Sequence, residues 1–261
     1  MSDYTKDGVL HCGECNEPKE RLFELLGKTI HVHKMCKCER EKEYEREKRI
    51  QEQRAKEEEV IRLEKIERSR QKCFESKEQM GYTFESDDKT NEVTKVAKNY
   101  VDNFEKIDTG LLLYGSVGTG KTFSACCIAN ALIEKGYTVL VTNFPKIVNE
   151  LQGTFNKQPY IDKLVDYDLL IIDDLASERR TEYMDEMVTN IIDSRYRANK
   201  PVVITTNLTS EDMVSSNDIN RQRIYSRLYE MCYPYEVKGE DRRKGKRISI
   251  KEKYKGVLEN D

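Results

Sequence analysis

This chain lacks the features that would take it to or through a membrane. No apolar run approaches the roughly 20 residues that a bilayer span needs. Its first residues, Met1-Ser2-Asp3-Tyr4-Thr5-Lys6-Asp7, carry no apolar signal-peptide region. The expected location is therefore cytoplasmic, where the eight cysteines serve as reduced thiols or metal ligands and not as disulfides. A global basic field is missing too: 45 Lys and Arg against 48 Asp and Glu leave a formal net charge of −3, so any nucleic-acid contact must come from local patches. Helix breakers are absent over long stretches, with no glycine between Lys28 and Met80 and no proline between Pro18 and Pro145. At 36% charged and 37% apolar, the 261 residues are too polar for one core throughout, so part of the chain must be extended and solvated.

That part is the middle. From Glu39 to about Met80 the sequence is Glu, Lys, Arg and Gln of interleaved sign, which predicts a long solvated helix reaching roughly 60 Å at about 1.5 Å per residue. Ile50, Val60, Ile61, Leu63, Ile66 and Phe74 are too sparse for a coiled-coil seam. The stretch reads as a spacer or as a partner-docking helix, with Cys73 incidental. Before it, Cys12-Gly13-Glu14-Cys15 and Cys36-Lys37-Cys38 supply four sulfurs for a closed tetrahedral zinc site, a structural rather than a catalytic one. All three histidines, His11, His31 and His33, lie in the same segment, and His33 is the substitute if one cysteine does not ligate. The expected organisation is a zinc module over 1–38, a charged helical linker over 39–80 and an ATPase domain over 81–261.

Within the last of these, Leu111-Leu112-Leu113-Tyr114 reads as a buried strand, followed by Gly115-Ser116-Val117-Gly118-Thr119-Gly120-Lys121-Thr122. The second stretch fits G-x-x-x-x-G-K-[ST], the phosphate-binding loop. A polyphosphate needs convergent backbone N–H donors, which only a chain with few Cβ atoms can curl tightly enough to supply, and the helix starting near Lys121 adds its own free N–H groups. Lys121 brings charge to the outer phosphates, the Thr122 hydroxyl is suited to Mg²⁺, and Phe123 opens an amphipathic helix running to Lys135. A helix over Val93 to Phe104 leads into this domain, with Tyr82 and Phe84 before it as packing residues or neighbours of the base.

Downstream, strands alternate with helices: a strand at Thr138–Thr142, a helix at Asn143–Leu151, a strand at Asp168–Ile172, a helix at Thr181–Arg197, a strand at Pro201–Thr206 and a helix at Ile219–Met231. That alternation predicts an α/β fold with a mainly parallel sheet and its ligands at the C-terminal strand ends. The apolar run Leu169-Leu170-Ile171-Ile172 ends in Asp173, the natural Mg²⁺ partner, and Asp174, suited to orienting the attacking water, with Glu178 as the runner-up base. Asn207 reads either as a γ-phosphate or water contact or as a turn residue.

Four stretches together carry a family likeness: Gly110 to Thr122, Asp168 to Leu175, Val203 to Leu208 and Arg223-Ile224-Tyr225-Ser226-Arg227-Leu228. Over roughly residues 82–247 the chain resembles the bacterial helicase loaders of the DnaC/DnaI type and the IstB transposition helpers, all AAA+ ATPases. The resemblance implies a P-loop fold, a mainly parallel five-stranded sheet flanked by helices, behind the zinc module and the charged helix. It implies cofactors ATP and Mg²⁺ beside Zn²⁺, slow switch-like hydrolysis, and a hexameric replicative DNA helicase and single-stranded DNA as partners. Asn207 becomes the sensor-1 residue, Arg227 the arginine finger acting on a neighbouring subunit with Arg223 as its rival, and Arg243 or Arg242 the sensor-2 arginine acting in cis. A trans finger implies self-association. Lys146 and Lys157, with Phe144, become candidate single-strand contacts, with packing as the other reading of Phe144. Two other functions stay open: an IstB-like transposition helper on duplex DNA, and an adaptor whose zinc module acts while its ATP site is vestigial.

Overall fold

Successive side chains of a strand point to opposite faces of the sheet, so a strand apolar at every position needs a core on both sides. The C-terminal two thirds of this chain is built on that rule and the N-terminal segment is not. A computed structural model describes residues 2–87, 92–152, 156–175, 182–215, 218–242, 253–255 and 258. The chain divides into two compact units, Met1–Glu64 and Lys65–Asp261.

The first unit holds two antiparallel hairpins that the sequence analysis did not foresee. β1 (Tyr4–Lys6) pairs with β2 (Val9–His11), and β3 (Glu20–Leu25) pairs with β4 (Lys28–His33). Both turns have two residues, Asp7-Gly8 and Leu26-Gly27, each at positive φ, the conformation that matches the twist of the flanking strands. The only hydrophobic side chains buried among the described residues of this unit are Cys12 and Cys36. The helix α1 (Lys37–Cys73) follows. It stops at Cys73, short of the expected Met80, and its last turns belong to the second unit, where Ile66, Cys73 and Phe74 are buried in the core. Cys73 is thus a packing residue.

In the second unit, the short α2 (Lys77–Met80) carries a capping box from Ser76 and Gln79. Then come α3 (Glu92–Asp102), β5 (Gly110–Tyr114), α4 (Lys121–Glu134), β6 (Val139–Asn143), α5 (Phe144–Gln152), α6 (Gln158–Asp166) and β7 (Leu169–Asp173). The chain continues with α7 (Glu182–Arg197), β8 (Val202–Thr206), α8 (Ser210–Val214), α9 (Ile219–Met231) and β9 (Cys232–Glu236). The five strands β5 to β9 form one parallel sheet in the order β6-β7-β8-β5-β9. Leu111, Leu113, Ile171 and Val203 face one core with α3 and α4, while Leu112, Leu170, Ile172 and Ile204 face the other with α5, α6, α7 and α9. α4 lies between sheet and α3 and is buried nearly all round, so the amphipathic face expected of it is absent. No described helix is long and apolar enough to cross a membrane.

The bottom of this sheet is fixed by a buried cation. Arg195, fully buried, donates to the carbonyls of Leu164, Tyr167 and Pro201 at 2.7, 2.9 and 2.7 Å and more weakly to Val165 and Asp168. It thereby closes the C-terminal end of α6, where a positive charge meets the negative end of the helix dipole. Burial lowers its pKa to about 10, which leaves it charged at neutral pH.

Candidate functional site

The C-terminal ends of β5, β7 and β8 lie side by side, and the chain's polar residues gather there. Leaving β5, the backbone turns through Gly115 at φ +127° and Gly118 at φ +83° before entering α4. A Cβ at Gly115 would stand 2.7 Å from the Val237 carbonyl, and one at Gly118 would stand 1.9 Å from Asp241 Oδ1. Both positions therefore demand glycine on two counts, backbone hand and space. The loop braces itself: Thr119 Oγ1 donates to the Ser116 carbonyl at 2.9 Å, and the Arg242 amide donates to the Gly118 carbonyl at 3.1 Å. Val117 stands out from its rim, 53% exposed. Gly120 is the N-cap of α4 in left-handed conformation, so the first amides of that helix point into the loop.

Lys121 is buried, and its ammonium donates to the loop carbonyls of Gly115 at 2.8 Å and Ser116 at 2.6 Å. Those bonds hold the charge inside the arc of the loop. Thr122 Oγ1 donates to Asp173 Oδ1 at 2.9 Å, which joins the loop to the end of β7. Burial pushes the Asp173 carboxyl up, against hydrogen bonds from Thr205 and Thr122 that hold it down. Phe123 turns its ring toward Tyr82, with 5.1 Å between centroids. Asn130, two turns further along α4, donates to the carbonyls of Gln79 and Tyr82. Tyr82 is thus laid against the loop helix, and Phe84 packs on the same core.

Asp174 follows Asp173 at φ +57°, a conformation few residues other than glycine adopt, with Asp and Asn among them. Three bonds to β8 and its end keep it there: the Asp174 amide donates to Thr205 Oγ1 at 2.8 Å, the Leu175 amide to the Thr205 carbonyl at 2.8 Å, and Asn207 Nδ2 to Asp174 Oδ1 at 2.8 Å. Lys121, Thr122, Asp173, Asp174 and Asn207 are therefore linked through the loop and one hydrogen-bonded series. Thr205, at its centre, was missed from the sequence. Its only sequence signal was a hydroxyl at the tip of a buried strand.

The other expected site residues lie elsewhere. Arg227, on α9, bonds to Asp193 at 3.1 Å and Glu230 at 2.6 Å and stacks 4.0 Å from the Tyr196 ring centre, beside a cavity of about 350 Å³ between α7 and α9. Arg223 is exposed on the same helix. Arg242 lies 3.7 Å from the buried Asp87 carboxylate. Arg243 and Glu178 fall outside the described residues. Phe144, the first residue of α5, is buried in the second core and packs there, away from any base. Lys146 pairs with Glu75 at 3.2 Å, and Lys157 sits 4.3 Å over the Tyr183 ring.

In the first unit the sulfurs of Cys12, Cys15, Cys36 and Cys38 all lie within 4.8 Å of one another. The nearest pairs are 3.2, 3.3 and 3.6 Å apart. Four sulfurs about 2.3 Å from one tetrahedral ion would be separated by roughly 3.8 Å, so the set can hold a metal. Backbone N–H groups of Cys38 and Glu17 lower the Cys15 thiol to about 6, while burial pushes Cys36 up and the neighbouring sulfurs push Cys38 up. No histidine joins this group among the described residues: His31 bonds to Glu20 at 2.9 Å, and His33 is paired across the hairpin with Glu20.

The family model described as IstB-like ATP binding protein matches residues 34–249. The replicative helicase loader DnaI of Bacillus subtilis (strain 168) is 27% identical over 164 residues, 58% of this chain and 52% of DnaI. The replicative helicase loader DnaC of Escherichia coli (strain K12) is 26% identical over 156 residues, 57% of this chain and 63% of DnaC. The chain thus spans between about half and about two thirds of the length of these curated relatives. Among solved structures, a crystal structure of DnaI superposes with a TM-score of 0.56 at 24% identity, covering 67% of this chain and 99% of that one. The DnaC helicase loader gives 0.54 at 23%, covering 62% and 100%. AMPPCP-bound DnaA from Aquifex aeolicus gives 0.51 at 23%, covering 67% and 55%. The likeness to these neighbours is one of fold.

Proposed function

The chain belongs to the family of IstB-like ATP-binding proteins, and from that premise we propose that it is an ATP-driven loader of a hexameric replicative helicase onto single-stranded DNA. One observation carries the nucleotide half of this reading: the Thr122 hydroxyl and the Asp173 carboxylate meet directly beside the Lys121 ammonium inside a glycine loop. The named relatives DnaI and DnaC support the loader half.

In this reading the backbone of Gly115 to Thr122 would cradle the phosphates, with Phe123 completing the nucleotide-binding stretch. Lys121 gives up its two loop carbonyls for phosphate oxygens. Thr122 and Asp173 hold Mg²⁺, which neutralises phosphate charge when bound. Asp174, fixed by Asn207, would orient or deprotonate the attacking water. Its short side chain suits slow turnover, as befits a switch. Arg243 reaches the nucleotide of its own subunit, while Arg227 reaches that of a neighbour once it leaves Asp193 and Glu230, so the working form is an oligomer. Zn²⁺ on Cys12, Cys15, Cys36 and Cys38 gives the first unit its rigidity, and that unit with α1 grips the helicase in the cytoplasm. Lys146 and Lys157 offer charge to single-stranded DNA.

The test pairs two measurements on the full chain. Titration with ATP and Mg²⁺ should show binding that Lys121→Ala abolishes, and a helicase-loading assay on single-stranded DNA should show loading that the same variant loses. No ATP uptake by the folded wild type overturns the reading. The resemblance to the IstB transposition helpers keeps a second function open, help to a transposase. Preference for duplex over single-stranded DNA would select it.

A further inference from the structure

The β3–β4 hairpin sorts its side chains by face. Cross-strand partners are Arg21 with Val32, Phe23 with Ile30 and Leu25 with Lys28, all on one side, while Glu20, Leu22, Glu24, Thr29, His31 and His33 take the other. On the first side Phe23 is 51% exposed, Leu25 60%, Ile30 41% and Val32 45%, and Leu26 at the turn is 96% exposed. Phe23, Leu25, Ile30 and Val32 make four large apolar residues on one face, far from the scattered surface hydrophobics of an ordinary monomer. They are not needed to hold the unit together, since its buried side chains are the cysteines that bracket the hairpin on either side in sequence.

Charge is sorted as well. Arg21 and Lys28 close the two ends of the apolar strip and make no ion pair among the described residues, while both acids of the hairpin, Glu20 and Glu24, are on the opposite face. A face with cations at its rim and no anion complements an apolar segment flanked by acids.

We propose that this face, Phe23, Leu25, Ile30 and Val32 between Arg21 and Lys28, is the surface on which the helicase docks, through an amphipathic helix whose apolar stripe is bordered by Asp or Glu. The inference rests on the loader reading and adds to it which surface of the first unit is used and what chemistry the partner brings. A nucleic acid fits this face poorly. Stacking on bases needs several aromatic platforms and a track of cations, and the strip offers one phenylalanine, aliphatic neighbours and two charges.

The experiment measures binding of the full chain to the hexameric replicative helicase of its own cell, by surface plasmon resonance at two salt concentrations. Arg21→Glu with Lys28→Glu should weaken binding at least tenfold and flatten its salt dependence, and Phe23→Ser with Ile30→Ser should weaken it more. Glu24→Lys with Thr29→Lys, on the opposite face, should leave it within twofold. Zinc content and circular dichroism verify that each variant is folded. The charge reversals, on exposed unpaired residues, keep the test valid if the serine variant misfolds. Binding by wild type that neither face-directed pair weakens overturns this inference and leaves the loader reading standing. Absence of wild-type binding overturns both. Loss of self-association in sedimentation with helicase binding intact assigns the face to a second copy, and loss of oligonucleotide binding alone assigns it to nucleic acid. Either result overturns the helicase assignment.

Discussion

Thr205 donates its hydroxyl proton to Asp173 Oδ1 at 2.6 Å and accepts the amide of Asp174 at 2.8 Å with the same oxygen. One side chain thus aims the carboxylate proposed for Mg²⁺ and fixes the left-handed residue proposed for water. Replacing it by valine keeps the shape but leaves a buried amide unpaired, a cost of about 1–3 kcal/mol. We expect Thr205→Val to lower the melting temperature and to cut ATP turnover at least tenfold, and Thr205→Ser to restore most of both. Calorimetry and a phosphate-release assay check the pair. Unchanged turnover in the valine variant would leave Thr205 with a structural role alone.

What could be read from the residues depended on how local the constraint was. The turn from Gly115 to Thr122 announced itself because its demands on φ and on space fall on consecutive positions. The strands β5, β7 and β8 showed as apolar runs because both faces are covered. Thr205 did not stand out, since its partners lie 31 and 32 positions away in sequence. The hairpins β1–β2 and β3–β4 went unseen although Asp7-Gly8 is a strong turn signal. Their strands enclose no apolar core. Phe144 took the packing role, buried with Ile147, Val148 and Leu151 on the face of α5 that covers the sheet.

The first unit has two buried cysteines where a domain normally has a hydrophobic core. Its folding should therefore follow its metal. Treatment of the full chain with a zinc chelator is expected to release one equivalent of zinc and to open residues 2–36 to protease. ATP affinity should stay within twofold, because the phosphate loop belongs to the second unit. Cys12→Ser should do the same without chelator. Metal-free protein with unchanged protease resistance would show that the hairpins stand without it.

Arg195 is a charged side chain in a place where sequence offers no warning. Its guanidinium answers carbonyls from the end of α6, the start of β7 and the start of β8. Methionine fills similar volume but strands those carbonyls, for which we expect a loss of at least about 3 kcal/mol. At roughly 2–4 °C per kcal/mol for a unit of this size, Arg195→Met should melt about 6–12 °C lower. Lysine should not rescue it, because one ammonium cannot reproduce the planar fork. Thermal melts of the three proteins decide this.

The proposed finger, Arg227, is held within its own subunit by Asp193 and Glu230. If it serves a neighbour's nucleotide, its loss must spare binding and strike turnover. We expect Arg227→Ala to bind ATP within twofold of wild type and to hydrolyse it at least about a hundredfold more slowly, in line with other trans arginines. Lys121→Ala carries the reverse defect, an intact finger beside a failed pocket. Mixing two inactive proteins should then restore hydrolysis, since each Arg227→Ala pocket can take an arginine from a Lys121→Ala neighbour. Recovery that rises with protein concentration would mark the subunit contact as its source. Mixed oligomers that form and stay inactive, or an Arg227→Ala protein with full turnover, would return Arg227 to its ion pairs on α7 and α9.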